Sequence, residues 1–191
     1  VVKEPVSIAR HGVFVSTPEI AGRQASVKVQ VELDNLSGEN RQVTVAVRLL
    51  SPAGKPVAKG NADMQLKGIC ATSTIMLNVS EPQLWSTETP DLYTAEVTVK
   101  HAGNVLDRIS ERFGIRTIEW KPEQGMVLNG KRIKFHGVNV HHSFGALGAA
   151  NYEAAIEKRF KVLKEMGVNG IRLAHNPVSY THLTLPTIAK V

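Results

Sequence analysis

The sequence predicts an all-β sandwich of the immunoglobulin-like kind, followed by the beginning of an α/β domain with parallel strands. Two observations indicate this fold class. Over about the first 110 residues, apolar and polar side chains alternate with a period of two. After residue 118, a strand-like segment, a helical segment and a second strand-like segment follow one another. We therefore expect one domain over residues 1–118 and the first part of another over residues 119–177.

The sandwich prediction depends on a strand pattern that recurs along the chain. Residues 25–33 place apolar side chains on one face and polar side chains on the other, as in a strand buried on one side. Further strands are expected in three strongly and three weakly alternating segments: residues 43–49, 75–79, 93–99, 12–15, 57–59 and 105–109. Turn-forming Asn, Gly and Pro residues separate them. About seven short strands whose apolar faces can pack between two sheets predict an immunoglobulin-like sandwich.

The second domain is predicted to start with a hairpin. Asn129 and Gly130 stand between two apolar runs, and this pair is the strongest short-range signal for a two-residue hairpin turn. We expect the hairpin to cover residues 126–135 and a separate strand to follow at residues 137–141.

A helix and another strand are expected next. Asn151 is a candidate N-cap, and apolar residues then recur with a helical period: Tyr152, Ile156, Phe160, Leu163 and Met166. Glu157 and Lys161 form a candidate i,i+4 ion pair, and Gly167 is expected to end the helix. Residues 168–174 then form a second strand. The order strand, helix, strand predicts a βαβ unit with parallel pairing.

Composition and charge argue against several functions. The net charge of +6 comes from Lys and Arg residues that are scattered along the chain, and aromatic residues make up only 5% of it, so nucleic-acid binding is not expected. No apolar run reaches the length of about 18 residues that a transmembrane helix needs, so no membrane partner is expected. Cys70 is the only cysteine and is expected to be a small, buried apolar side chain.

Four short motifs carry a family resemblance. PQLWSTETPDLY at residues 82–93 resembles the "P-x-LWS…P-x-LY" stretch of the sandwich domain in glycoside hydrolase family 2, with Trp85 and Tyr93 closing the sandwich core. FGIR at residues 113–116 resembles the family's join between sandwich and barrel. FHGVNVHH at residues 135–142 resembles the first barrel strand of a β-galactosidase-like subgroup, and NGIRLAHNP at residues 169–177 resembles the end of the second. The resemblance implies that residues 119–177 begin a (β/α)₈, or TIM, barrel.

The resemblance also implies an activity and a site. The β-galactosidase-like members of this family cleave terminal β-galactosides with two carboxylates from the fourth and seventh barrel strands, whereas residues 119–177 reach only the second strand. No catalytic residue is therefore assigned within this chain, which is expected to be inactive alone. His141 and His175 are implied to bind sugar hydroxyls, and Arg172 to lie beside the nucleophilic carboxylate. No cofactor and no metal are implied, and the expected partner is a carbohydrate.

The other ionisable residues of the second part are expected to be structural or solvent-exposed. His142 neighbours His141 on a strand, so its side chain is expected to point to the other face. Five glutamates are expected to be surface charges: Glu119, Glu123, Glu153, Glu157 and Glu165. A metal site is a weaker alternative for four histidines without the spacing of a known zinc motif: His136, His141, His142 and His175.

Two other functions remain open from the sequence. The specificity of another family member, a β-glucuronidase or a β-mannosidase, fits the same motifs. A sandwich domain can also serve as a non-catalytic binding module, because fold alone does not determine function.

The two ends of the chain predict that it is part of a longer protein. The sequence opens with Val1 and Val2 and shows no leader, so no localisation is assigned. Residues 178–191 do not continue the family pattern and resemble a translated sequencing adapter, so we expect a non-native tail there.

Overall fold

Residues 4–141, 143–150 and 152–173 are described by the computed structural model. They belong to two compact units, Val1–Thr117 and Ile118–Val191. No helix among these residues is long and apolar enough to cross a membrane.

The first unit is a sandwich of two antiparallel sheets. Its strands β1 to β7 cover Val6–Ala21, Gln24–Asn35, Arg41–Leu50, Pro56–Leu66, Cys70–Ser80, Tyr93–His101 and Asn104–Phe113. One sheet has the order β1-β2-β5 and the other the order β4-β3-β6-β7. The fourth strand thus pairs with the third, whereas in an immunoglobulin constant domain it joins the first sheet.

The predicted apolar faces form the core between the two sheets. In β2 and β3, alternate residues from Val27 to Leu33 and from Val43 to Leu49 are at most 2% exposed. Their counterparts on the other strands include Ile75, Leu77, Val97 and Val99, which are also buried. Because the side-chain period of a strand is two, a slip of one residue in any strand would turn this face to solvent. The sandwich prediction is therefore confirmed down to the side chains that form the core.

Strand β1 is much longer than the segment predicted at residues 12–15. Its pairing with β2 shifts between Ile8 and Val13 and again between Ser16 and Glu19. His11 has a φ of 58°, and a β-carbon on the next residue, Gly12, would lie 2.8 Å from the Glu32 carbonyl oxygen. Such bulges interrupt the alternation of side chains, and the alternation was the signal from which the strand was predicted.

Cys70 is exposed, so the prediction that it is buried is wrong. The buried residues of β5 are at odd positions, from Ser73 to Val79. Cys70 pairs with Asp34 at the start of β5 and lies on the opposite, solvent-facing set of positions.

Two of the resembling motifs meet on one side of the sandwich core. The Trp85 backbone N–H donates to the Ile115 carbonyl at 2.9 Å, and the Arg116 guanidinium lies 4.6 Å from the centroid of the Trp85 ring. Burial lowers the pKa of Arg116. A β-carbon at position 114 would lie 2.7 Å from the Trp85 side chain, so this packing requires Gly114. Trp85 and Tyr93 are both buried, as expected.

Asn35 ties together two turns at one end of the sandwich. Its side chain is 2% exposed, and its Nδ2 donates to the carbonyls of Glu39 and Gly68, both at 2.9 Å. Its Oδ1 accepts from the Ser37 hydroxyl at 2.6 Å and from the Ser37 backbone N–H at 3.3 Å. The amide thus makes four hydrogen bonds, which satisfy its full capacity.

The second unit contains a small antiparallel sheet and a βαβ segment. Its strands β8 to β12 cover Ile118–Lys121, Gly125–Leu128, Lys131–Arg132, Gly137–Val140 and Gly170–Leu173, and its helix α1 covers Glu153–Glu165. The first three strands form one sheet in the order β10-β9-β8. Asn129 and Gly130 have φ angles of 50° and 76°, which is the positive φ that the predicted two-residue turn requires. The predicted hairpin and its turn are confirmed, but the second strand ends at Arg132 instead of reaching residue 135.

Helix α1 differs from the prediction at its start and agrees at its end. Asn151 lies outside the described residues, and the N-cap is Tyr152, which makes no side-chain cap hydrogen bond. The cap was therefore predicted one residue too early. At the other end Gly167 has a φ of 82°. Its N–H donates to the Lys164 carbonyl, and the Val168 N–H donates to the Leu163 carbonyl. These two bonds form a Schellman motif.

The two units should differ in protection from hydrogen exchange. No residue of α1 is buried, whereas β2, β3 and β6 contribute to a closed core. We expect the amides of those strands to exchange about a thousandfold more slowly than those of α1, the ratio for roughly 4 kcal/mol of opening free energy. A chain shortened to residues 1–118 should keep the slow exchange of the strands. Equally slow exchange through α1 and β12 would contradict the expectation of an incomplete barrel.

Replacement of Asn35 should destabilise the sandwich. Asn35→Ala leaves two turn carbonyls without their donor, so the free energy of unfolding should fall by about 2 kcal/mol. Asn78→Ala is the matched control, because Asn78 is exposed on β5, and it should change stability by less than about 0.5 kcal/mol. Urea denaturation measures both variants. Equal losses would show that the hydrogen bonds of Asn35 do not stabilise the fold.

Candidate functional site

The candidate site lies on the parallel strand pair β11–β12. Gly137 pairs with Gly170, and the register continues so that Asn139 lies beside Arg172. Both of these polar residues are exposed, while the neighbouring pair, Val138 and Ile171, is half-buried. Since side chains alternate across a strand, Asn139 and Arg172 belong to one polar face.

His141 follows directly after β11 and is exposed. The carboxyl ends of parallel strands are where α/β barrels carry their active sites. His141 and Arg172 therefore lie toward the same, carboxyl end of the strand pair. His175 and His142 lie outside the described residues.

Asn169 fixes the start of the strand pair. Its backbone N–H donates to the His136 carbonyl at 3.1 Å, and its Oδ1 accepts from the His136 N–H at 2.8 Å. Its Nδ2 donates to the Lys134 carbonyl at 3.0 Å. These three bonds hold the residue before β12 against the residues before β11, and so they set the register that places Asn139 beside Arg172.

An aromatic pair packs next to the start of the strand pair, where Gly170 begins β12. Phe135 stacks on Trp120 with ring centroids 6.1 Å apart and an interplanar angle of 14°. A β-carbon at Gly170 would lie 2.7 Å from the Phe135 ring, so only glycine leaves room for the ring there.

Arg159 of helix α1 holds the loop that follows β11. Its Nη1 donates to the His141 carbonyl at 2.9 Å, and its Nη2 donates to the Ser143 carbonyl. Its guanidinium carbon lies 3.7 Å from the centroid of the Phe144 ring. No sequence pattern predicted these contacts, because a charged residue on an amphipathic helix is usually solvent-exposed.

An open groove of about 360 Å³ lies next to this contact. It is lined mainly by apolar side chains of the 3₁₀ turn Gly145–Leu147, the residue before it and helix α1: Phe144, Leu147, Ala155, Lys158, Arg159, Val162 and Leu163. The groove separates the two elements that follow β11 and carries no polar cluster.

The glutamates of the second unit are exposed. Glu119 pairs with Lys121 at 3.1 Å on β8. Glu157 pairs with Lys161 at 2.7 Å on α1, which confirms the predicted i,i+4 ion pair. In the described part of the chain no group of three or more His, Cys, Asp or Glu is arranged to hold a metal ion. Two of the four histidines of the alternative metal site, His142 and His175, lie outside that part.

A sandwich followed by a βαβ segment with parallel strands indicates a class of architecture: a β-sandwich domain that precedes the start of an α/β barrel. Comparison with known families gives the particular one. The model of "Glycosyl hydrolases family 2" matches residues 8–116, and that of "Glycosyl hydrolases family 2, TIM barrel domain" matches residues 119–188. The chain belongs to glycosyl hydrolase family 2. Both the family resemblance and the predicted fold class are confirmed.

Individual relatives carry two activities in their names. A β-galactosidase of Bacteroides ovatus is 38% identical over 91% of this chain and 20% of its own length. A β-glucuronidase of Bacteroides fragilis is 30% identical over 91% of this chain and 25% of its own. A solved family 2 member from Bacteroides cellulosilyticus superposes with a TM-score of 0.88 at 33% identity, covering 92% of this chain and 24% of that structure. The chain thus spans about a fifth of the length of the curated relatives it matches.

Loss of the Asn169 side chain should loosen the strand pair. Asn169→Ala removes the bonds to the His136 N–H and the Lys134 carbonyl, and at this exposed position the loss should be about 1 kcal/mol. Amides of β11 and β12 should then exchange about fivefold faster in hydrogen-exchange NMR. Lys134→Ala is the control, because it keeps the backbone carbonyl that Asn169 contacts. If both variants exchange alike, Asn169 does not fix the register.

Proposed function

We propose that the complete protein containing this chain is a retaining glycosidase that hydrolyses terminal β-galactosides. The observation that carries the proposal is the register of β11 and β12. In this register Arg172 of β12 lies beside Asn139 of β11 on a polar face, and His141 directly follows β11. Membership of glycosyl hydrolase family 2 supports hydrolysis of a glycosidic bond. The β-galactosidase of Bacteroides ovatus supports the choice of sugar.

In this proposal two glutamates outside the chain carry out a double displacement. One carboxylic acid protonates the leaving oxygen while the other carboxylate attacks the anomeric carbon, and water then releases the sugar from the enzyme. The glutamates of the second unit lie on β8, in the turn after it and on α1, and no described glutamate lies at the carboxyl end of β11 or β12. They are therefore not assigned to either role.

The residues of this chain would bind and orient the sugar. We assign hydroxyl contacts to His141 and His175, because an imidazole both donates and accepts hydrogen bonds. Arg172 would lie beside the nucleophile, where a guanidinium keeps a neighbouring carboxylate ionised. The reaction needs no organic cofactor, and the proposed partner is a carbohydrate rather than a nucleic acid.

β-Glucuronidase activity is the second candidate. Relatives with this name match nearly the whole chain, among them the β-glucuronidase of Bacteroides fragilis at 30% identity. A glucuronide differs from a galactoside by a carboxylate, so its recognition requires a cation or a set of donors near that group. The discriminating measurement is therefore the relative kcat/KM for the two sugars.

We expect the complete protein to prefer a 4-nitrophenyl β-galactoside over the corresponding β-glucuronide and β-mannoside by at least about tenfold in kcat/KM, which corresponds to 1.4 kcal/mol of transition-state stabilisation. The 191-residue chain by itself should leave the galactoside at the uncatalysed rate. Both are measured by release of nitrophenol, with buffer as the blank.

Each other outcome points to a different alternative. Preference for the glucuronide or the mannoside replaces the proposed sugar but not the glycosidase class. Absence of turnover of any glycoside by the complete protein favours a non-catalytic binding module. Turnover by the 191-residue chain overturns the assignment of the two glutamates to another part of the protein.

A further inference from the structure

Arg159 makes all of its described contacts with the loop that begins at His141. Two of its nitrogens donate to carbonyls two residues apart, those of His141 and Ser143, and its guanidinium carbon lies over the Phe144 ring. Its partners are backbone oxygens and an aromatic face rather than a carboxylate. The contact therefore fixes the path of the backbone instead of neutralising a charge.

We propose that Arg159 is a positioning residue of the sugar site, which acts through His141. This inference rests on the proposed function, in which the His141 imidazole binds a sugar hydroxyl. A side chain that recognises a hydroxyl has to be held to within about 0.5 Å of its productive position. Because His141 follows the last residue of β11, the strand no longer fixes its backbone, and the Arg159 bond to its carbonyl takes over that function.

The chemistry of the contact requires arginine. A guanidinium presents its donors in a rigid planar fork and also stacks on an aromatic ring, so one group fixes both the separation of the two carbonyls and the position of Phe144. A lysine ammonium keeps the charge but lacks the fork and the flat face. Arg159→Lys should therefore behave like Arg159→Ala rather than like the native residue.

The first test uses the 191-residue chain and does not depend on activity. In Arg159→Ala, ¹⁵N relaxation should show order parameters at His141, Ser143 and Phe144 falling from about 0.85 to below about 0.6. Lys158→Ala is the control, because it removes the same charge from an exposed neighbour on the same helix. Unchanged order parameters in Arg159→Ala would overturn the inference.

The second test is a double-mutant cycle in the complete protein. We expect His141→Ala and Arg159→Ala each to lower kcat/KM for the β-galactoside by about tenfold or more, since a small misplacement at a binding site can cost up to about a hundredfold. In the His141→Ala background the further loss from Arg159→Ala should be less than about twofold, because the two residues act through one contact. Lys158→Ala should leave kcat/KM unchanged.

Substrate analogues give a signature that a merely structural role would not produce. A monodeoxy galactoside lacks one hydroxyl, so the analogue without the hydroxyl that His141 binds should be hydrolysed equally well with and without His141→Ala. Arg159→Ala should fail to lower kcat/KM for that same analogue. Additive losses, or a loss that is the same for every analogue, would overturn the inference. If His141→Ala has no effect on kcat/KM, both the proposed role of His141 and the inference about Arg159 are wrong. If the protein hydrolyses only the glucuronide, the proposed sugar is wrong, and the double-mutant cycle is measured on the glucuronide instead.

Discussion

The register of β11 and β12 is the constraint on which the candidate site depends. Parallel strands have evenly spaced hydrogen bonds, so pairing alone allows a slip, and a slip of one residue would turn Arg172 to the opposite face. Asn169 prevents this by binding His136 and Lys134 through its backbone and its side chain. The "N-x-x-R" spacing of the motif thus joins a register-fixing residue to a site residue three positions later. Asn169, the first residue of the motif, has a structural role, whereas Arg172, its last residue, belongs to the proposed sugar site.

The two units are stabilised differently. The sandwich closes a core of alternating valines and leucines between its own two sheets, and the buried Asn35 amide makes four hydrogen bonds. In the second unit none of the helix residues is buried, although Val127 and Leu128 of β9 are. Hydrogen bonds of Asn169 and Arg159 fix the strand pair and the loop after β11. A unit of this kind gains its stability from neighbouring elements, as the strands and helices of a barrel do. This difference in core formation is the reason for the expected difference in hydrogen exchange.

Sequence patterns predicted the elements that obey one simple period and missed those that break it. The alternation of β2, β3 and β6, the Asn129-Gly130 turn and the helix-ending Gly167 were all readable because local chemistry fixes them. The bulges of β1 interrupted the alternation, and the exposure of Cys70 depends on the register of β5 rather than on residue type. At the candidate site, His141 and Arg172 were proposed from their motifs. Arg159 was not, because its role comes from a contact between a helix and a loop about 16 residues away.

Helix α1 connects both halves of the candidate site. From its middle, Arg159 reaches back to the loop after β11 and binds the His141 carbonyl. At its C-terminus, the Schellman turn at Gly167 is followed by Asn169, which binds His136 and precedes β12. A single helix therefore determines where the loop after the first strand lies and where the second strand begins. A shift of α1 would displace His141 through the Arg159 guanidinium and would displace Arg172 through the start of β12. The helix surface that faces the loop therefore contributes to the geometry of the proposed sugar site through Arg159.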